Sequence, residues 1–395
     1  MPRHPAAPPP SPPLREAGLP GRRRAALAVL LALCVCAAAL ASPPAARRAP
    51  AQPAPVLNVY NWSDYIDPEV LRRFTRETGI RVRYDVYDSL ETLEAKLSAG
   101  RSGYDIIVPT SEPTFARLVR AGALRPLDPA RIPNLANLDP GLMSKVARTD
   151  PGNRHGAIYL WGTTGLGMRV DQVRALAPDA PRDSLGLLLQ PENARRLARC
   201  GIMVMDSATD VLPSVLHWLG RDPDSADPAD LRAAEQALMA IRPYLRAIPG
   251  SGAIVDALAT GEVCLALTYS GDAIQAAVRA RAAGRGIEIA YAAPREGAQL
   301  AFDMLAIPAD APNPEAAMAF IDFVLRPEII AAITNHTRYP NAVPASRPLL
   351  APEVRDDPNV YPPESVLANS FVAGTPSPAA ERLRARLWSR FKAGR

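Results

Sequence analysis

The fold is decided by residues 57–109, which read LNVYNWSDYIDPEVLRRFTRETGIRVRYDVYDSLETLEAKLSAGRSGYDIIVP. Apolar and polar residues alternate in residues 57–61 and again in residues 80–87, which is typical of strands with one buried face. Residues 105–109 form a short apolar run of the kind that a buried parallel strand contains. The segment therefore predicts three strands, with a helix in each connection.

The connections between the predicted strands contain residues that are typical of helix starts and helix ends. Asp67 is an N-cap residue followed by proline at the first helical position, and Gly79 ends that helix. Residues 88–91 have the pattern of a capping box that opens a second helix, which ends at Gly100. A third helix follows the last strand and ends at Gly122. The β-α-β-α-β-α order predicts an α/β layered domain.

The same kind of pattern continues along the chain. Apolar runs predict three further strands, at residues 201–205, 263–268 and 304–308. Amphipathic periodicity predicts four further helices, at residues 210–219, 229–245, 272–283 and 314–325. A length of 395 residues suggests two or three domains.

The charge balance excludes a nucleic-acid-binding surface. The chain has 45 Lys+Arg against 40 Asp+Glu, for a formal net charge of +5 at pH 7. Five of the arginines and one of the acids lie in residues 1–41, so the rest of the chain is close to neutral. Binding to phosphates needs clustered Lys and Arg with few acids nearby, whereas both signs are mixed here. A hydrophobic content of 48% also excludes disorder of the whole chain.

The beginning of the chain predicts export. Three consecutive arginines, Arg22–Arg24, precede an apolar run at residues 25–41 that ends in Ala-Leu-Ala, which indicates a signal peptide over residues 1–41. An uncleaved membrane anchor is the alternative, although this run is short for a spanning helix. Twin-arginine export and lipidation at Cys34 are weaker alternatives. Residues 42–54 are predicted to be a flexible Pro/Ala linker.

Two cysteines follow the leader, Cys200 and Cys264. Two cysteines of an exported protein usually pair, and two buried free thiols are the alternative. The histidines are scattered and form no metal-spaced cluster, so neither a metal nor a cofactor is predicted. The sequence lacks the G-x-S-x-G elbow, the H-E-x-x-H motif and a Walker loop, and residues 165–167 are only a lone G-x-G. An enzyme is therefore not expected.

Three predicted turns combine an aromatic ring with a carboxylate, at residues 61–65 (NWSDY), 269–272 (YSGD) and 302–303 (FD). Ligands of open α/β sheets lie at the carboxyl ends of strands. An aromatic ring stacks on methylene groups and attracts a cation, and a carboxylate binds an ammonium group through a charge-assisted hydrogen bond. The three turns together predict a site for a flexible organic cation. For any one turn, an N-cap Asp beside a core ring is the alternative.

The same residues carry a family resemblance. Residues 61–66 (NWSDYI), 84–89 (YDVYDS) and 104–109 (YDIIVP) resemble the periplasmic polyamine-binding proteins of ABC importers, most of all the putrescine-binding branch. Residues 163–167 (TTGLG) and 361–363 (YPP) are similar too. The resemblance runs from about residue 57 to the C-terminus.

This resemblance implies an α/β, two-lobed periplasmic binding protein fold of type II. Each lobe is a mixed sheet flanked by helices, and the lobes close on the ligand about a hinge. The lobes are expected at residues 55–159 plus 300–338 and at residues 160–299 plus 339–395. Location in the periplasm is implied as well. Cys200 and Cys264 fall where the putrescine branch carries its disulfide, which favours their pairing.

The resemblance also implies a pocket that encloses a methylene chain between aromatic rings. The residues that it assigns to the pocket are Trp62, Ser63, Asp64, Tyr65, Ser89, Asp210, Tyr269, Asp272, Asp303 and Tyr339. Asp210, Asp272 and Asp303 are the ammonium ligands in this assignment, and Ser89 is a polar contact near one end.

Three positions depart from the family pattern. Tyr269 stands where the family usually has Trp, Ala301 where a large aromatic residue closes the box, and Asp210 where Glu is usual. Phe302 follows Ala301, but neighbouring side chains of a strand point to opposite faces, so Phe302 is not an obvious substitute. All three changes reduce bulk, which leaves the ligand's length open among putrescine, spermidine, cadaverine and agmatine.

The function that the resemblance implies is the substrate-binding component of a putrescine-like polyamine ABC transport system. Such a protein is a monomer that delivers a cationic amine to the transmembrane permease subunits. The alternative is a sensor of polyamines or related cations that docks on a membrane receptor, since both roles use the exposed lobe surfaces.

Overall fold

The computed structural model of the protein describes residues 55–394. The predicted signal peptide and linker, residues 1–41 and 42–54, and Cys34 lie outside the described residues. The strands of the described region are β1 (Val56–Trp62), β2 (Arg81–Tyr87), β3 (Ile106–Ile107), β4 (Gly156–Arg169), β5 (Ile202–Val204), β6 (Leu265–Tyr269), β7 (Ile289–Ala292) and β8 (Gln299–Ala306).

Helices connect and cover these strands. The α-helices of the described region are α1 (Pro68–Thr78), α2 (Leu90–Ser98), α3 (Ala116–Arg120), α4 (Pro140–Val146), α5 (Val170–Leu176), α6 (Gly186–Leu189), α7 (Pro191–Leu197), α8 (Ala208–Trp218), α9 (Pro228–Ile241), α10 (Ser251–Thr260), α11 (Ser270–Ala282), α12 (Pro314–Val324), α13 (Pro327–Thr337), α14 (Pro352–Arg355), α15 (Glu364–Leu367) and α16 (Pro378–Ala393). None of the helices in residues 55–394 is long and apolar enough to cross a membrane.

The strands form one mixed sheet in the order β2-β1-β3-β8-β4-β6-β5, and β7 pairs with β4 beside this path. The β1–β2, β1–β3 and β5–β6 pairs are parallel, as expected where helices connect the strands. β8 and β4 are antiparallel to their neighbours. The sheet therefore has a parallel group at each end and an antiparallel centre.

Two hydrophobic clusters form the core. The first joins β1, β3, β8 and the beginning of β4 to helices that include α1, α12 and α13. Phe74 of α1 contacts Phe320 and Phe323 of α12 edge to face, with ring centroids 5.1 Å and 5.3 Å apart. The second joins β5, β6 and the end of β4 to helices α7 to α10 and α16. β4 thus belongs to both clusters.

β4 is not predictable from the local pattern of the sequence, because glycines interrupt its apolar run. The structure has a close contact at Gly165, where a Cβ atom would lie 2.5 Å from the carbonyl oxygen of Ala292 in the neighbouring β7. The lone G-x-G of residues 165–167 is therefore part of a strand that packs closely against its neighbour.

The α/β class is confirmed, and most predicted elements are present within a few residues of their expected bounds. The predicted cap of α1 is confirmed, since the Asp67 side chain accepts a hydrogen bond of 2.8 Å from the Glu69 amide. The capping box at residues 88–91 is wrong in its register, because Ser89 is the N-cap and accepts from the Thr92 amide at 3.2 Å.

Two other predictions are wrong in detail. The predicted turn at Phe302 and Asp303 lies inside β8, which begins at Gln299 rather than at residue 304. The predicted helix at residues 229–245 ends as α9 at Ile241, and a 3₁₀ turn, Arg242–Tyr244, follows. Pro243 lies in this turn and has no amide hydrogen with which to continue an α-helix.

Candidate functional site

One narrow cavity is lined by Tyr65 and Tyr339 of the first hydrophobic cluster and by Tyr269, which packs against both clusters. Its wall is formed by Trp62, Ser63, Tyr65, Thr110, Gly162, Asp210, Ser251, Tyr269, Asp272, Ala301, Asp303 and Tyr339. About 50 Å³ is open to the centre of a water molecule, several times the roughly 10–15 Å³ that one water needs. The cavity therefore suits a slender ligand of a few heavy atoms in length.

Asp303 approaches the cavity from β8. Tyr65 Oη donates a hydrogen bond of 2.7 Å to Asp303 Oδ2, and Thr110 Oγ1 donates one of 2.8 Å to Oδ1. Tyr65 lies beyond the end of β1 and Thr110 beyond the end of β3, so three separate strands position this carboxylate. Burial raises the pKa of Asp303 to about 6, although both hydroxyl donors oppose that rise.

Asp272 lies in the first turn of α11. Tyr339 Oη donates a hydrogen bond of 2.8 Å to Asp272 Oδ1, and Asp272 Oδ2 is buried with no hydrogen-bond partner among the described residues. Burial raises the pKa of Asp272 to about 6, against the effect of the Tyr339 hydroxyl. The Tyr339 ring fits against Gly271, where a Cβ atom would lie 2.1 Å from Tyr339 Cε2.

Asp210 lies in the first turn of α8. Tyr269 Oη donates to its Oδ2 at 2.8 Å, and Ser207 Oγ donates to the same oxygen. Gln299 Nε2 donates to its Oδ1 at 3.1 Å. Burial raises the pKa of Asp210, and the Ser207 and Tyr269 hydroxyls oppose the rise. Each of the three buried carboxylates is thus bonded to one tyrosine.

Aromatic rings form the rest of the wall. Trp62 is half-buried, donates its indole N–H to Val108 O at 3.0 Å, and lies 4.6 Å from the Tyr87 ring between centroids. Tyr65 contacts Tyr339 edge to face at 4.9 Å. These contacts hold the rings in fixed orientations, so their faces are preorganised for an apolar chain.

Ala301 lines the cavity while its neighbour Phe302 is fully buried in the first hydrophobic cluster. The alternation of side chains along a strand predicts that Ala301 and Phe302 point to opposite faces of the sheet. Ala301 is paired across the sheet with Gly162 of β4, and both line the cavity, so neither residue brings a ring to this part of the wall.

The structure brings eight of the ten predicted pocket residues to this cavity. Asp64 is not among them: it is exposed, has a left-handed φ of 54°, and pairs with Arg279 at 2.8 Å. Ser89 caps α2 and lines an adjoining cavity that shares Trp62 and Asp210 with this one. The ligand-binding roles of all ten residues stay predictions.

Three residues of the wall were not predicted, Thr110, Gly162 and Ser251, whereas Ala301 lies in the wall where the family resemblance placed it. Thr110 directly follows the predicted strand at residues 105–109, so the rule that ligands bind at the carboxyl ends of strands was the signal that points to it. Ser251 begins α10, and no sequence motif marks it. Gln299 and Ser207, which donate hydrogen bonds to Asp210 but do not line this cavity, were not predicted either.

The cysteine pair is confirmed as a disulfide. Cys200 and Cys264 are bonded, with Cα atoms 5.5 Å apart and 64 residues of sequence separation. The disulfide joins the start of β5 to the start of β6 and lies beside the second hydrophobic cluster. Within residues 55–394, no group of three or more His, Cys, Asp or Glu side chains has the arrangement of a metal site.

The chemistry of the site follows from its charge. Three buried carboxylates surround one cavity, and none of the described residues that line it is Lys or Arg. Removing ionised carboxylates from water is costly unless an opposite charge compensates them. A ligand with positively charged hydrogen-bond donors supplies that charge, and the rings accommodate an apolar segment between the donors.

Comparison with known proteins agrees with this chemistry. A family described as "Bacterial extracellular solute-binding protein" matches residues 69–362. The chain is 45% identical over 341 residues to the putrescine-binding periplasmic protein SpuD of Pseudomonas aeruginosa (strain UCBPP-PA14), a match that covers 86% of this chain and 92% of that relative. It is 42% identical over 341 residues to the putrescine-binding periplasmic protein PotF of Escherichia coli (strain K12), again with 86% and 92% covered.

A solved structure is similar as well. The putative spermidine/putrescine ABC transporter from Listeria monocytogenes superposes with a TM-score of 0.77 at 30% sequence identity. The superposition covers 86% of this chain and 99% of that chain.

Proposed function

Because the chain belongs to the bacterial extracellular solute-binding protein family, we propose that it is the substrate-binding component of a polyamine ABC transport system. In this role it captures a putrescine-like amine in the periplasm and delivers it to the permease subunits in the inner membrane. Its relatives SpuD and PotF are both named putrescine-binding periplasmic proteins, which supports the ligand class and the compartment.

One observation carries the proposal: Asp210, Asp272 and Asp303 are buried around one cavity that no Lys or Arg among the described residues lines. At neutral pH a diamine is a dication with several N–H donors. It would neutralise two of the three carboxylate charges and donate hydrogen bonds to the carboxylate oxygens. A monovalent or uncharged ligand would leave most of the buried charge uncompensated.

The shape of the site supports an unbranched ligand. The cavity is narrow, and the Trp62, Tyr65 and Tyr339 rings line it. Methylene groups between two ammonium ends would lie against these rings, and each ammonium would lie near both a carboxylate and a π face. Micromolar affinity requires about 8 kcal/mol in total. Two charge-assisted pairs together with ring contacts are of that order.

We propose binding rather than catalysis for this cavity. Its described wall contains no His, Cys or Lys to act as a base or an activated nucleophile. The names of these relatives describe binding proteins and a transporter.

We also propose that residues 55–159 plus 300–338 and residues 160–299 plus 339–395 act as two lobes that close on the amine. The two hydrophobic clusters support this division except at its boundaries, because Leu160, Trp161, Tyr339, Ala342 and Val343 belong to the first cluster although the division assigns them to the second lobe. Small-angle X-ray scattering of the mature protein should give a smaller radius of gyration after addition of amine. An unchanged radius in a sample that binds amine would contradict closure.

The proposed function is tested by calorimetric titration of ligand-free mature protein with putrescine, cadaverine, agmatine and spermidine. 1,4-Butanediol serves as the uncharged control for putrescine. We expect saturable one-site binding of at least one amine and none of the diol. Absence of binding by all four amines in folded protein would refute the ligand class.

A further inference from the structure

The three carboxylates of the site differ in how many hydrogen-bond donors they already have. Among residues 55–394, Asp272 accepts from Tyr339 alone, and Asp303 accepts from Tyr65 and Thr110. Asp210 accepts from three side chains, the hydroxyls of Ser207 and Tyr269 on Oδ2 and the amide of Gln299 on Oδ1. Asp210 is therefore the most firmly held of the three.

Gln299 is placed to act on Asp210 from behind the cavity. It is the first residue of β8, its side chain is only 6% exposed, and it does not line the cavity. Its Nε2 donates to Asp210 Oδ1 at 3.1 Å and to the carbonyl oxygen of Thr209 at 3.2 Å. Both bonds end in the first turn of α8, so the amide fixes the carboxylate relative to its own helix.

We propose that Gln299 is a positioning residue of the amine site, which holds the Asp210 carboxylate in place and keeps it ionised for the ligand. This inference rests on the proposed function. Gln299 acts only through Asp210 and does not touch the ligand.

The charges that face Asp210 explain why a donor is needed there. The negative charge of Glu91 of α2 disfavours ionisation of Asp210, and the charge of Asp210 in turn disfavours ionisation of Asp303 of β8. Burial acts in the same direction. The Ser207 and Tyr269 hydroxyls stabilise Oδ2, whereas Gln299 supplies the one donor that the described side chains provide to Oδ1. Without the amide, Oδ1 would lose this stabilisation and protonate more readily.

The effect on binding depends on pH in a defined way. A hydrogen bond to an ionised group changes its titration midpoint by about one pH unit. If the amine binds only ionised Asp210, a variant without the Gln299 amide, whose Asp210 midpoint is one pH unit higher, binds the amine up to about tenfold more weakly than wild type at pH values below both midpoints. At pH values above both midpoints, the variant and the wild type bind the amine equally. A residue that only stabilises the fold would weaken binding by the same factor at every pH.

The first test needs no ligand. The Asp210 carboxyl carbon is titrated by ¹³C NMR in ligand-free wild type and in Gln299→Met, which keeps the side-chain length and removes the amide. Asp210→Asn identifies the resonance. We expect the midpoint of Gln299→Met to be about one pH unit higher. An unchanged or lower midpoint would overturn the inference.

Gln275→Met is the matched control, because Gln275 Nε2 donates to the carbonyl oxygen of Thr337 at 2.9 Å and contacts no carboxylate. This variant should leave the Asp210 midpoint unchanged. Gln299→Glu provides a second variant if Gln299→Met does not fold. It replaces the donor by a like charge and should raise the midpoint further; no rise would overturn the inference.

The second test is calorimetric titration with putrescine between pH 5 and pH 8.5. We expect Gln299→Met to bind up to about tenfold more weakly than wild type at the acidic end and equally at the basic end. A constant ratio across this range would overturn the inference in favour of a structural role. If wild type binds no amine, the proposed function fails, while the NMR titration still decides the role of Gln299.

Discussion

The hydroxyl of Tyr339 donates a 2.8 Å hydrogen bond to Asp272 Oδ1, and Oδ2 of the same carboxylate is buried without a partner among the described residues. The tyrosine therefore orients the carboxylate and leaves one oxygen for a ligand. Asp303, in contrast, accepts one bond on each oxygen. Asp272 is the carboxylate that we expect to contribute most to binding.

Removal of either charge should weaken amine binding. Asp272→Asn and Asp303→Asn keep the size of the side chain and remove one negative charge from the cavity. Each should raise the Kd for putrescine at least about tenfold, since loss of one member of a buried charge pair costs more than 1.4 kcal/mol. Asp256→Asn is the control, because Asp256 is exposed and pairs with Arg279 at the surface. Wild-type affinity in Asp272→Asn would exclude that carboxylate from the site.

A methyl group at Gly271 should disturb the site through Tyr339. In Gly271→Ala the new Cβ atom would lie 2.1 Å from Tyr339 Cε2, so the ring must move and its bond to Asp272 is lost. We expect about tenfold weaker amine binding by calorimetry. Gly252→Ala is the matched control, since Gly252 is also the second residue of its helix and has nothing within 4 Å of its Cβ position. Equal affinities of the two variants would contradict the role given to the Tyr339 ring.

The stability of the ligand-free protein should depend on the protonation of Asp272 and Asp303. The pKa of each is raised from 3.8 to about 6 by burial. The folded protein thus binds more protons than the unfolded chain between these values. Their contribution to stability is therefore fully present below pH 3.8 and is lost as pH rises through about 6. Thermal melting of wild type, compared with the double variant Asp272→Asn/Asp303→Asn, should reveal this loss as a pH-dependent difference in Tm.

Amine binding should depend on pH in the opposite sense, because the amine binds the ionised carboxylates. The increase in Tm that putrescine causes in wild type should be larger at pH 7.5 than at pH 5. An equal increase at both pH values would mean that neither carboxylate titrates at the binding site.

A ring at position 301 should tighten the binding of putrescine. Ala301 lines the cavity and pairs with Gly162 of the neighbouring strand, so Ala301→Phe would add an aromatic ring to the part of the wall that β8 forms. A stacked ring contributes about 1 kcal/mol, or about fivefold in Kd. Ala301→Leu adds comparable apolar volume without a π face and should give a smaller gain. Weaker binding by the Phe variant, or equal gains from both, would contradict the prediction.

The local signals of residues 57–122 were sufficient to predict their strands and helices. The cap at Asp67, the alternation of β1 and β2 and the apolar run before Thr110 all depend on neighbouring residues, which a sequence displays directly. β4 could not be predicted in this way. Gly165 of this strand is required by a contact with Ala292, a residue more than 100 positions away.

The residues of the candidate site show the same difference between local and distant signals. Asp272 lies at the end of a predicted strand, so its place near a ligand could be inferred from the topology. The pairing of Tyr339 with Asp272, and of Gln299 with Asp210, joins residues 67 and 89 positions apart. No local pattern marks such pairs. The family resemblance assigned Tyr339 to the pocket. It did not indicate Gln299, because Gln299 does not line the cavity.

A crystal structure of the mature protein grown with putrescine would test the amine site most directly. We expect the amine inside the cavity, with one nitrogen at about 3 Å from Asp272 Oδ2 and the methylene groups against the Trp62 and Tyr65 rings. Putrescine bound elsewhere on the protein, with Asp272 and Asp303 free of any contact to it, would show that these buried carboxylates do not form an amine site.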